Sequence, residues 1–241
     1  MPGDRIRREA VGVSRESSRH ACNLHGMGAL VSVEGLDGAG KRTLIDGVAA
    51  GLRAGGARVA TLAFPRYGGS VYADLGAEAL RGRHGDLLDS VYAMALMWAL
   101  DRADSLPELS KLLADNDIVI LDRYVASNAA YSAARLKESA DGEITRWVGE
   151  LEFDRFALPA PDLQVLLDVA TEVAAERARS REAADAARAL DAYERDGGLQ
   201  DRTATVYRDL AELNWRGPWW VFGSDDDPRS LTARLAEFVA G

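Results

Sequence analysis

The sequence predicts an α/β fold, a doubly wound five-stranded parallel sheet with helices on both faces. Three observations predict it. Strand-length apolar runs alternate with helical patterns five times along the chain. The run Asp117-Ile118-Val119-Ile120-Leu121-Asp122 is apolar and β-branched at successive positions, which suits a central strand covered on both faces. The first run, Ala29 to Val33, leads into a glycine-rich turn, Gly35-x4-Gly40-Lys41, that opens a helical pattern. Strand, loop and helix in that order are the context of a phosphate-binding loop.

The elements follow in order. Residues 1–26 carry Arg5, Arg7, Arg8, Arg15 and Arg19 against Asp4, Glu9 and Glu16, with no apolar stretch of a secretory signal. They read as a disordered N-terminal extension, either a late-acting addition or the product of an upstream start. Met27 is a natural beginning for the domain over 27–241. A first helix is expected from Thr43 to Ala54, stopped by Gly55-Gly56, and a second strand from Val59 to Phe64. Pro65-Arg66-Tyr67-Gly68-Gly69 is a loop, and Ser70 caps a helix to about Arg81. After a break at Arg81 to Gly85, Asp86 opens a long apolar helix through Arg102, and a further helical piece reaches Ala114. The third strand ends at Asp122, and the next helix carries Asn128 and Tyr131. Another helix starts at Asp141 or Gly142 and runs to about Phe156. Leu163 to Asp168 is the fourth strand, and Glu172 to Arg188 a polar helix rich in Arg and Ala. Asp191 to Leu213 is helical, with Gly197-Gly198 as a weak point; Trp219 to Phe222 is the fifth strand, and Pro228 starts the last helix.

At 241 residues the chain suits one α/β domain with a core large enough to be stable alone. A net charge of -9 argues against a general nucleic-acid or membrane-surface binder. Cys22 is the single cysteine, which excludes an internal disulfide and a cysteine-based metal cluster and fits a reducing cytoplasm. No apolar run approaches the length of a membrane span.

Ligands of such sheets bind at the C-terminal strand edge. The phosphate loop, Pro65-Arg66-Tyr67, Asp122-Arg123 and the region after Asp168 all fall there. The loop glycines let backbone N–H groups face phosphate oxygens, and Lys41 supplies the cation that follows the β- and γ-phosphates. The loop departs from its usual pattern at one place: Arg42 stands where Ser or Thr would bind Mg²⁺, and Thr43 comes one position too late. Asp122-Arg123 is either a metal-serving acid with a phosphate fork or a structural pair at a strand end. No Asp or Glu occurs from Thr61 to Val71, so Arg66 and Tyr67 suit an acceptor that is already an anionic phosphate and needs little base assistance. Trp98 and Arg102 share a helix face, as do Asn128 and Tyr131; they read either as nucleobase and sugar contacts or, for Trp98, as core. Arg177, Arg179, Arg181 and Arg188 form either a solvated mixed-charge helix or a lid that lowers arginines onto a transferring phosphoryl group.

On these motifs the chain resembles the thymidylate kinase (dTMP kinase) family over about Gly28 to Ala240. The matching stretches are Glu34 to Lys41, Phe64-Pro-Arg-Tyr67, Leu100-Asp-Arg102, Asp122 to Tyr131, Pro161 to Asp168 and Tyr193-Glu-Arg195. Arg42 in the Ser/Thr position and the Phe64 to Tyr67 stretch resemble mycobacterial and related actinobacterial members. The resemblance implies a phosphate-loop nucleoside monophosphate kinase with an Arg-rich lid at about 177–190. It would convert dTMP and ATP to dTDP and ADP with Mg²⁺, in dTTP biosynthesis, as a cytoplasmic homodimer. It implies Gly35, Asp37, Gly38, Ala39, Gly40, Lys41, Arg42 and Thr43 around ATP, and Lys41, Asp37, Arg123 and Arg181 in catalysis. It implies Phe64, Arg66, Tyr67, Trp98, Arg102, Arg123, Asn128 and Tyr131 on dTMP, with Trp98 where a Phe stacks on thymine. Asp37 and Glu194 are implied near the metal. Two other classes stand beside this one: a kinase for other nucleotides or deoxynucleosides, and a non-catalytic phosphate-loop regulator.

Overall fold

The structure, a computed structural model, describes residues 27–184, 192–195 and 197–240. The extension over 1–26 and the 185–190 part of the expected lid lie outside the described residues. The elements are β1 (Ala29–Glu34), α1 (Lys41–Ala54), β2 (Val59–Ala63), α2 (Val71–Leu80), α3 (Val91–Asp104), α4 (Leu106–Asp115), β3 (Ile118–Asp122) and α5 (Val125–Leu136). They continue with α6 (Glu143–Gly149), a π-helical turn over Glu150–Arg155, β4 (Leu163–Asp168), α7 (Thr171–Ala184), α8 (Ala192–Arg195), α9 (Gly197–Glu212), β5 (Trp219–Gly223) and α10 (Pro228–Ala240).

The strands form one parallel sheet in the order β2-β3-β1-β4-β5. Successive side chains of a strand point to opposite faces, and here both faces are covered. Leu30, Val119, Leu121 and Leu166 join the core built with α5, α6 and α9. Their neighbours Val31, Val33, Ile118, Ile120, Val165 and Leu167 join a second core with α1 and α10. The consecutive apolar positions of β1, β3 and β4 therefore supply two cores at once, as the doubly wound expectation requires.

Three boundaries differ from the sequence expectation. Helix α1 starts at Lys41 rather than Thr43, because Gly40 takes the capping position at φ 104° and the helical bonds begin directly after it. Helix α3 starts at Val91 rather than Asp86. The intervening residues are spent in turns, and Ser90 Oγ accepts the Ala93 N–H at 3.1 Å as a true N-cap. The helix after Gly142 stops as an α-helix at Gly149 and widens into the π turn, where the Phe156 N–H donates to the Leu151 carbonyl. That extra residue per turn changes which side chains face inward.

The chain leaves central β1 for β2, returns to β3 between them, then crosses to β4 on the other side. The loops after β1 and β3 thus open side by side at the point where the winding reverses, the crevice in which such sheets bind ligands.

Candidate active site

A cavity of about 820 Å³ lies at that crevice. Asp37, Gly38, Gly40, Lys41, Arg42 and Thr43 line it from the phosphate loop, Phe64 and Tyr67 from the end of β2, and Trp98 and Arg102 from α3. Arg123, Asn128 and Tyr131 close it from the β3–α5 side, and Arg177 from α7. Its size is that of a small-molecule site.

The loop is built against α7. A Cβ on Gly38 would lie 2.1 Å from the Ala174 carbonyl oxygen, and φ is +80° there, so only glycine allows this approach. Arg177 Nη1 donates to the Ala39 carbonyl at 3.0 Å, which tethers the start of the expected lid to the loop. The side chains of Arg181 and Glu194 lie outside the described residues, as does Arg188.

Lys41 is buried, and its Nζ donates to the carbonyls of Gly35 at 3.1 Å and Leu36 at 2.9 Å. Burial first, and then the nearby Arg123 charge, push its pKa down to about 8 against the pull of Asp37, Asp122 and Glu34. Arg42 points outward, 88% exposed, with Asp46 3.9 Å away.

Arg123 is the hub of the site. Its backbone sits in the left-handed region at φ 67°, uncommon for a side chain of this size, and its N–H donates to the Val33 carbonyl of β1. Nη2 donates to Asp37 Oδ1 at 2.7 Å. Nη1 donates to Ser127 Oγ at 3.0 Å and to the Tyr207 hydroxyl at 3.1 Å. The guanidinium lies over the Tyr131 ring at 5.4 Å, and the Tyr131 hydroxyl donates to Asp37 Oδ2 at 2.8 Å. Burial alone would raise the Asp37 carboxyl, but the Arg123 and Lys41 charges, with the Arg123 and Tyr131 hydrogen bonds, outweigh it. They hold the group well below the usual carboxylate range, so it is an ionised acid at neutral pH.

Behind Arg123 sits Glu34, fully buried at the end of β1. It accepts the Tyr124 N–H at 2.8 Å and the Ser127 hydroxyl at 2.6 Å, while burial raises its carboxyl above the ordinary value. Ser127 Oγ also lies 2.7 Å from the Tyr207 hydroxyl on α9. Sequence reasoning assigned neither Glu34 nor Tyr207 a role. An acid ending an apolar strand beside the loop was a visible signal for Glu34. Nothing in its own stretch marks Tyr207.

The other expected site residues divide. Phe64 is buried and lines the cavity, and Tyr67 lines it while staying half exposed. Trp98 packs beside Leu80 and Met94, with its ring where a Gly76 side chain would be, and it also lines the cavity. Arg66 stands apart from these. Its guanidinium donates to Asp101 Oδ1 at 2.9 Å and to Asp104 Oδ2 at 2.6 Å, with Glu108 3.5 Å away, and it does not line the cavity. The absence of nearby acids in sequence was overridden by α3 and α4, which deliver three of them. Arg102 and Asn128 line the cavity but are bonded on their far sides to Glu152, a residue that sequence reasoning did not single out.

Among the described residues no group of three or more His, Cys, Asp or Glu is placed to hold a metal ion, and no helix is long and apolar enough to cross a membrane.

The sequence model of the thymidylate kinase family matches residues 33–215. The chain is 58% identical over 207 residues to the thymidylate kinase of Mycobacterium tuberculosis strain H37Rv, covering 86% of this chain and 97% of that protein. It is 32% identical over 197 residues to the thymidylate kinase of Verminephrobacter eiseniae, covering 78% and 84%. It is 30% identical over 167 residues to a probable thymidylate kinase of Archaeoglobus fulgidus, covering 63% and 70%.

Proposed function

The chain belongs to the thymidylate kinase family, and from that premise we propose that it moves the γ-phosphoryl group of ATP to dTMP, yielding dTDP and ADP, as a step of dTTP biosynthesis. The observation that carries this reading is one cavity lined from unlike elements: the phosphate loop with Lys41, and Phe64, Trp98, Arg102 and Asn128, together with Arg123.

In this reading the loop amides and Lys41 hold the ATP phosphates, while Arg123 and Tyr67 hold the phosphate of dTMP. The acceptor phosphate, with a second pKa of about 6, is already ionised at neutral pH, so no carboxylate base is needed. A new bond forms from its oxygen to the γ-phosphorus as the bond to the β–γ bridging oxygen breaks, and ADP leaves. The residues' contribution is position and fixed charge. Asp37 and Tyr131 hold the Arg123 fork in one orientation, so little reorganisation is needed when the phosphates arrive. Arg181 completes the reading as the lid cation.

The donor set fits Mg²⁺ held mainly by phosphate oxygens and water, since Asp37 is an ionised carboxylate at the cavity wall and Asp122 lines the same cavity. Asp37 and Glu194 are the residues assigned to it, and when bound it neutralises phosphate charge. Family resemblance adds a homodimer in the cytoplasm, which light scattering and fractionation test.

A coupled ADP-release assay across the common nucleoside monophosphates and deoxynucleosides tests the central reading. dTMP is expected to exceed dCMP, dGMP and UMP in kcat/KM, with deoxynucleosides inactive. Equal turnover of dTMP and dCMP overturns it.

A further inference from the structure

Glu152 sits in the π turn after α6, fully buried, and does not itself line the cavity. Its Oε2 accepts Arg102 Nε at 2.5 Å, and its Oε1 accepts both Arg102 Nη2 at 2.8 Å and Asn128 Nδ2 at 2.8 Å. Asn128 Nδ2 also donates to the Ala95 carbonyl at 2.9 Å. Both partners of that amide nitrogen are pure acceptors, so the amide cannot be turned over without setting Oδ1 against two oxygens. The orientation of Asn128 is therefore fixed by chemistry. What remains for the cavity is Oδ1, an acceptor, met among the described residues by a long 3.4 Å contact from Ser132 Oγ. Arg102 is held in the same way. With Nε and one N–H of Nη2 committed to Glu152, its remaining N–H groups are the donors left for a ligand.

The cavity wall thus carries donors on Arg102 and an acceptor on Asn128, and a single carboxylate sets both. A pyrimidine with a 4-keto group and a protonated N3 carries the complementary acceptor and donor. Cytosine carries the reverse, an exocyclic 4-amino donor and an unprotonated N3. We propose that Glu152 is a positioning residue for base selection: through Arg102 and Asn128 it makes the pocket accept 4-keto pyrimidines and reject 4-amino ones. This rests on the dTMP reading above and deepens it. The π turn is the local device, since an ordinary helical continuation from Gly149 would phase this position differently. A site built around such donors and acceptors penalises the wrong edge heavily, because desolvated groups are left unpaired.

The test is kcat/KM for dTMP, dUMP and dCMP in wild type, Glu152→Gln and Glu152→Asp. The Gln side chain brings a donor to a place that needs only acceptors, and frees the Asn128 amide to turn. The dTMP to dCMP ratio is expected to fall by about tenfold or more, carried mainly by the KM for dTMP. The dTMP to dUMP ratio should stay within about twofold, because those bases share the edge that Glu152 governs. The KM for ATP should hold. Glu152→Asp keeps the charge on a shorter arm that reaches Arg102 or Asn128 but not both; it should lower the same ratio and serves if the Gln variant does not fold. A loss shared equally by all three acceptors, or an unchanged dTMP to dCMP ratio in a folded variant, overturns the proposal. If wild type itself fails to prefer dTMP over dCMP, the acceptor reading has failed instead, before any variant is compared.

Discussion

Arg123 and Asp37, 86 positions apart, meet at 2.7 Å and join the end of β3 to the phosphate loop. The Asp37 carboxylate accepts from both the Arg123 guanidinium and the Tyr131 hydroxyl, so it orients the two side chains proposed above for the acceptor. Asp37→Asn keeps the shape and removes the charge. The half-saturating MgCl₂ for turnover should rise by roughly 10–100-fold, the range for lost groups around a metal, and dTMP affinity should weaken with it. ATP affinity should change less, because the loop amides and Lys41 remain. Glu194→Gln is measured alongside, and unchanged Mg²⁺ half-saturation in both variants would leave these acids as charge balance for neighbouring arginines.

Lys41→Ala removes the buried ammonium of the loop. A single preorganised electrostatic group of this kind contributes on the order of 10²–10³ in kcat. Steady-state kinetics at saturating dTMP measure it, and a near-normal kcat would show that ATP binds elsewhere.

The same residue sets a pH limb. A lysine pushed down to about 8 carries its charge below that pH and loses it above. In free enzyme, kcat/KM for ATP should therefore fall as pH rises through about 8. Bound phosphates restore the ammonium, so the corresponding limb of kcat should lie at higher pH. Both profiles can be taken from one buffer series, and a flat kcat/KM between pH 7 and 9.5 is the contrary result.

Arg66→Ala should act on stability more than on acceptor binding. Asp101 is fully buried, accepts the Arg66 backbone N–H and the Nε at 2.9 Å each, and would be left with its charge uncompensated. Breaking a buried pair from one side costs about 3–5 kcal/mol, less here because Arg66 keeps 13% exposure. Thermal unfolding should show the loss. The KM for dTMP should change far less than in Arg123→Ala, and a comparable rise in both would return Arg66 to the acceptor site.

A chain beginning at Met27 should keep the activity and melting temperature of the full chain, since residues 1–26 hold few apolar side chains to dock. Comparing the two proteins by calorimetry and turnover checks this.

Much of the molecule was legible from local chemistry. The apolar runs of β1, β3 and β4 specify strands covered on both faces whatever surrounds them, because side chains alternate along any strand. The loop from Gly35 to Lys41 carries its own geometry in its glycines. The boundaries that shifted did so for local reasons that periodicity does not report: a serine cap at Ser90, and a widened turn after Gly149.

By itself, then, the sequence determined the order of strands and helices, the two-sided core and the phosphate loop, all of which follow from residues near one another in the chain. The tertiary structure decided which charges meet. Arg66 and Asp101 are 35 positions apart, Arg102 and Glu152 50, and Arg123 and Tyr207 84. A charge taken out of water must find partners among whatever groups the fold brings near it, and no local pattern records those neighbours. That requirement withdrew Arg66 from the cavity, fixed Arg123 on Asp37, and placed Glu152 behind Arg102 and Asn128.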